Sequence, residues 1–112
     1  VKDIVHATLL QLGNDWHDLD EDVRDDTIAA LLILLPGADP DDIILFAESH
    51  SDAVSLDNCY LDPEAVLDPD EMPRYPEAAR DIAIQKMEDR VHRSWQRLQA
   101  HLPGSHLWLV AA

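Results

Sequence analysis

The sequence predicts an all-α fold, a small bundle of about four helices with an acidic, proline-rich loop and an apolar C-terminal tail. Three observations point there. Apolar residues recur at helical spacing in the patterned segments. The most apolar run, Ala29–Leu35, is built of Ala and Leu with little of the β-branched enrichment of a strand. Pro-Gly pairs, Pro36-Gly37 and Pro103-Gly104, stand where two of the segments end. With 112 residues, 46% of them hydrophobic, the chain is expected to form one domain over 1–112 with a real core.

The first helix is expected over Val1–Leu12, where Ile4, Val5, Thr8, Leu9 and Leu12 make one stripe and Gly13-Asn14 reads as a left-handed stop. Asp15-Trp16-His17 links it to the next, with the Trp16 ring packed on the junction. Asp18–Leu35 is expected as the central helix. Ile28, Leu31, Leu32 and Leu35 form one apolar face, and Val23, Thr27, Ala30 and Leu34 a second, so burial on two sides is predicted. Its acidic first turn suits the positive end of the helix dipole.

Asp39-Pro40-Asp41-Asp42 then reads as an N-cap, a proline at the first helical position and two acids in the first turn. A short third helix follows, ending near Ser49-His50, with a strand over Ile43–Phe46 as the alternative. Residues 51–75 read as an ordered acidic loop, stiffened by Pro63, Pro69, Pro73 and Pro76. Within it Leu61-Asp62-Pro63-Glu64 and Leu67-Asp68-Pro69-Asp70 repeat a helix-start signal with room for single turns. The longest helix is expected over Pro76–Leu102, on the stripe Ile84, Met87, Val91, Trp95, Leu98 and Leu102. The tail Leu107–Val110 either folds back over the bundle or docks onto a second copy through Leu107, Trp108 and Leu109.

Charge is the outlying property. There are 23 acids against 8 Lys and Arg, a formal −15. Residues 1–72 hold 19 acids and two bases, Lys2 and Arg24, whereas residues 73–112 hold four acids and six bases. Nucleic acid and anionic membrane are repelled by such a surface, and a basic protein surface is its complement. No apolar run reaches the length of a membrane span. The opening Val-Lys-Asp-Ile-Val-His has no signal-peptide pattern, and the single cysteine, Cys59, fits a reducing compartment, so a cytoplasmic location is expected.

Motifs for chemistry are sparse. His17-Asp18 resembles the His-Asp dipeptide of the HD family of metal-dependent phosphohydrolases, which are helical. The resemblance covers two residues, and that family's pattern also needs an upstream His and a distant Asp; His6 lies only 11 positions before. Asp18, Asp20 and Asp22 alternate as in a calcium loop, but Val23 stands at the glycine position and Ala29 at the glutamate position. The 6 histidines lack zinc spacing. No phosphate loop or nucleophile elbow is present. No catalytic residue, metal or cofactor is therefore predicted.

What remains is binding. The candidate contact residues are Asp18, Asp20, Glu21, Asp22, Asp25 and Asp26, then Asp39, Asp41 and Asp42, then Asp62, Glu64, Asp68, Asp70 and Glu71. Carboxylates three or four apart on a helix are neighbours and can meet an Arg/Lys-rich cleft. In size, charge and helical class the chain is similar to phage DNA-mimic inhibitors and to immunity proteins that block nuclease toxins, without a shared motif. The expectation is an acidic protein-binding module of that inhibitor or immunity type. The alternatives are an assembly subunit whose acidity serves solubility or salt adaptation, and a helical metal-dependent hydrolase.

Overall fold

A computed structural model describes residues 2–103. Its four helices are α1 (Lys2–Asp15), α2 (Glu21–Leu34), α3 (Pro40–Asp57) and α4 (Ala79–Gln99). Single 3-10 turns stand at Trp16–Asp18, Pro63–Ala65 and Pro76–Ala78. The all-α expectation holds, and no strand occurs among the described residues. Ile43–Phe46 is helical, inside α3. The tail Leu107–Val110 lies outside the described residues.

The central helix is α3, not the segment following Asp18. Its most extensive packing is against α4 and then α1, whereas α2 touches its neighbours lightly. The reason is visible in the side chains. From α2 only Ile28, Leu31 and the adjoining Leu35 are buried; of its second apolar stripe Val23 is 45% exposed and Leu34 37%, and Ile33 stands 79% exposed. From α3, Ile43, Phe46, Ala47, Ser49, Ala53 and Leu56 are all buried. Small side chains such as Ser49 and Ala53 let neighbouring helices approach.

Two apolar clusters result. The larger joins Val5, Leu9 and Trp16 with Leu31, Phe46 and Trp95, and the smaller joins Leu56, Leu67, Ala83 and Met87 beneath the acidic loop. Phe46 and Trp95 meet edge to face at 6.3 Å, and His6 stacks on Trp95 at 4.5 Å. Such aromatic pairs add about 0.5–1.5 kcal/mol beyond area burial.

Helix ends differ from expectation in instructive ways. α1 runs through Gly13-Asn14 to Asp15. Gly13 is a point of close approach: a Cβ there would stand 2.9 Å from the Cβ of His50 on α3. α2 begins at Glu21 rather than Asp18, because Trp16–Asp18 tightens into a 3-10 turn and Leu19 and Asp20 are extended. α3 continues to Asp57, well past Ser49-His50. It stops in a Schellman motif: the Tyr60 N–H donates to the Ser55 carbonyl (2.8 Å) and the Cys59 N–H to that of Leu56 (3.2 Å). Cys59, at φ 62°, takes the left-handed position usually held by glycine. Pro36-Gly37 does end α2, with Gly37 at φ 81°.

Candidate functional site

The carboxylates at the start of α2 are set out by local geometry. Asp18 ends the 3-10 turn and Asp20 is the extended N-cap, with no side-chain capping bond. Glu21 and Asp22 occupy the first turn, Asp25 and Asp26 the next, and all six are exposed. Arg24, the base among them, turns away: its guanidinium lies over the Trp16 ring at 4.5 Å, and its Nε is buried without a hydrogen-bond partner.

At the start of α3, Asp39 accepts the Asp41 N–H (2.9 Å) as an N-cap, with Pro40 at the first helical position. Asp42 pairs with Arg97 of α4 at 2.9 Å. Both sequence signals are realised as read.

The proline loop is held from α4. Arg80 donates to the carbonyls of Leu56 (2.7 Å) and Leu61 (3.1 Å). Lys86 donates to the Val66 carbonyl (2.7 Å) and to Glu71 Oε1 (2.6 Å). Glu71 also accepts the Asp68 N–H, while its own N–H donates to the Asp68 carbonyl, so the second Leu-Asp-Pro unit closes as one reciprocal turn. The Lys86 hydrogen bond, and next the Asp68 amide, hold the Glu71 carboxyl below its usual value. Asp62, Glu64, Asp68 and Asp70 remain exposed.

α3 carries its acidic start about 27 Å from its end at Asp57, at 1.5 Å per residue over 18 residues. The loop, however, folds back along α4: Lys86, which holds Glu71, and Arg97, which holds Asp42, lie 11 residues or about 17 Å apart. All of the candidate acids except Asp42 and Glu71 are exposed. Arg90, Arg93 and Arg97, the last already paired with Asp42, line a recess of about 210 Å³ together with Leu45.

Beside the α2 acids lies a feature the sequence did not announce, an open groove of about 400 Å³ between α1 and α2. Ala7, Thr8, Gln11, Leu12 and Asp15 line one wall, and Leu19, Val23 and Thr27 the other. The exposed second stripe of α2 was its only sequence signal.

His6 and His50 pack against the Phe46 ring, and His6 also stacks on Trp95. His50 sits within hydrogen-bond reach of Asn14 (Nε2 to Oδ1, 2.8 Å), and burial, then the charge of His6, pulls its pKa below 6.5. Asp52 is shifted upward by burial, an effect opposed by His17 and Arg90. His17 and Asp18 are exposed on the 3-10 turn. Among the described residues no three His, Cys, Asp or Glu side chains group as a metal site requires, and no helix is long and apolar enough to cross a membrane. No protein-family model, no curated protein and no solved structure matches this chain.

Proposed function

We propose that this chain is an acidic binding module that occupies a basic surface of another protein, as an inhibitor or immunity-type factor against a protein that itself acts on nucleic acid. The observation that carries the reading is the start of α2. Six exposed carboxylates stand there with the only nearby base in sequence, Arg24, stacked on Trp16 instead of answering them. Such an array attracts an Arg/Lys-rich cleft from a distance, giving fast, salt-sensitive association. Asp39 and Asp41, and the exposed acids of the loop that Lys86 and Arg80 tether, add to the negative field.

The test is affinity capture from host lysate at low and high salt with mass spectrometry of the eluate, repeated with Asp20, Asp22, Asp25 and Asp26 all changed to Lys. The reading expects one basic nucleic-acid enzyme, released by salt and lost by the reversed variant at unchanged helicity. Equal retention by both proteins removes α2 from the account. A second reading, an assembly subunit, is favoured by the outward Ile33 and Ile4, which are 79% and 65% exposed. It expects a concentration-dependent mass in sedimentation and no capture of basic partners.

A further inference from the structure

We infer that the α1–α2 groove is a docking site for an amphipathic basic segment of the partner, one that seats apolar side chains in the groove while its Lys or Arg residues meet the surrounding carboxylates. The inference rests on the proposed binding function and names the part of the surface that gives it shape selectivity. The floor asks for apolar atoms. Leu19 and Val23 contribute directly, and the polar groups that line the groove are already bonded within their own helices. Thr8 donates to the Ile4 carbonyl (2.7 Å), Thr27 to the Val23 carbonyl (2.8 Å), and Gln11 to Asp15 (2.6 Å). A ligand therefore finds few hydroxyls or amides in need of partners there.

The rim asks for cations. Asp15 lines the groove itself. Asp3 stands one helical turn before Ala7 and Asp20 one turn before Val23, and both are exposed. No lining residue is basic. At about 400 Å³ the groove is within the size range of sites that hold compact apolar groups, roughly 300–1,000 Å³. Apolar anchors one turn apart with cations between them are what an amphipathic helix offers a groove. Free nucleic acid and membrane surfaces carry the wrong sign.

The full chain, isotope-labelled, is titrated at low salt with a synthetic Leu/Lys peptide whose leucines share one helical face, and with a scrambled peptide of equal composition. The expected result is saturable binding of the amphipathic peptide, with amide shifts centred on Ala7, Thr8, Leu19, Val23 and Thr27. The scrambled peptide should bind about tenfold more weakly, a difference of about 1.4 kcal/mol. Val23→Gln and, independently, Ala7→Gln keep the charge and a helix-forming residue, and each should erase that preference while leaving the scrambled peptide unaffected. Equal, salt-sensitive binding of both peptides overturns the groove and leaves the acidic-surface reading standing. Binding of neither at low salt overturns both. Displacement of the probe by a peptide of residues 104–112, or by a rise in protein concentration, assigns the groove to the chain itself or to a second copy and also overturns the inference.

Discussion

Replacing Lys86 by Met tests whether α4 holds the acidic loop in place. Met keeps most of the apolar stem packing of Lys and removes the ammonium. Two bonds go: the donation to the half-buried Val66 carbonyl and the contact with Glu71. A hydrogen bond from a charged donor is worth about 1.5–3 kcal/mol, and the unmade Val66 carbonyl keeps much of that cost unless water reaches it. Some is returned, because the Lys86 side chain is only 19% exposed and its desolvation is relieved. The net expectation is a loss of about 1–2 kcal/mol, or roughly 5–10 °C in Tm for a chain of this size.

Two readouts are specific to the loop. Trypsin should cut at the exposed Arg74 faster in the variant, since local opening is what exposes a cleavage site. The acid limb should also change. Glu71 is held below its ordinary 4.5 in the folded state, so the unfolded chain binds more protons as pH falls. Its contribution is present above pH 4.5 and is lost as pH drops through the lowered folded value. Lys86→Met removes the Lys86 share of that slope and leaves the share due to the Asp68 amide. An unchanged Tm, with Arg74 as resistant as before and the acid limb intact, would refute the tether.

Gly13→Ala gains about 1 kcal/mol of helix propensity but forces a methyl to within 2.9 Å of His50 Cβ, an overpacking worth about 1–3 kcal/mol; urea unfolding should show a net loss near 1 kcal/mol, and a gain would contradict the close approach. Cys59→Gly removes about 1–2 kcal/mol of left-handed strain and gives back about 0.4–1 kcal/mol through the freer unfolded chain, so the same assay should show a net gain of about 0.5–1 kcal/mol. His50 has its pKa depressed, so its neutral form stabilises the fold above pH 6.5 and that contribution is lost as pH falls through the folded value; His50→Gln should flatten the decline in stability below pH 6.5, and an unaltered slope would assign the decline to other groups.

The legible parts of the fold were those where chemistry and period coincide within a few residues. Met87, Trp95 and Leu98 are buried as their spacing predicts, and Asp39-Pro40 caps α3 as its residue types require. The length of α3 was not legible, because its second half, Ser49 to Leu56, buries Ser49, Ser51 and Ala53. Serines carry no apolar signal, yet small size is what a helix between two others needs. Its end was hidden as well, since Cys59 holds a conformation that glycine normally marks. Gly13 misled in the opposite direction: glycine serves both a left-handed turn and a close helix contact, and only the position of His50 decides between them. The apolar faces of α2 could be counted but not assigned, because periodicity says which residues share a stripe and not whether a neighbour covers it.

Charge follows the same division between amount and placement. A sequence count leaves open whether the bases of α4 neutralise the acids before them. In the fold, Arg80 and Lys86 take backbone carbonyls at Leu56, Leu61 and Val66, and only Asp42 and Glu71 gain a paired cation among the candidate acids. Energetics favour this choice. A half-buried carbonyl without a donor costs about 1–3 kcal/mol, whereas an exposed carboxylate is already hydrated and gains only about 0–1 kcal/mol from an ion pair. The structural demand for cations in the loop therefore leaves the acids at the start of α2 repelling one another in solvent. Salt relieves that repulsion for either functional reading, so fold stability alone rising with salt does not separate them. Association separates them by sign: a module that receives cations on α2 loses affinity as salt rises while its fold gains stability, and an assembly subunit held by apolar contacts gains in both.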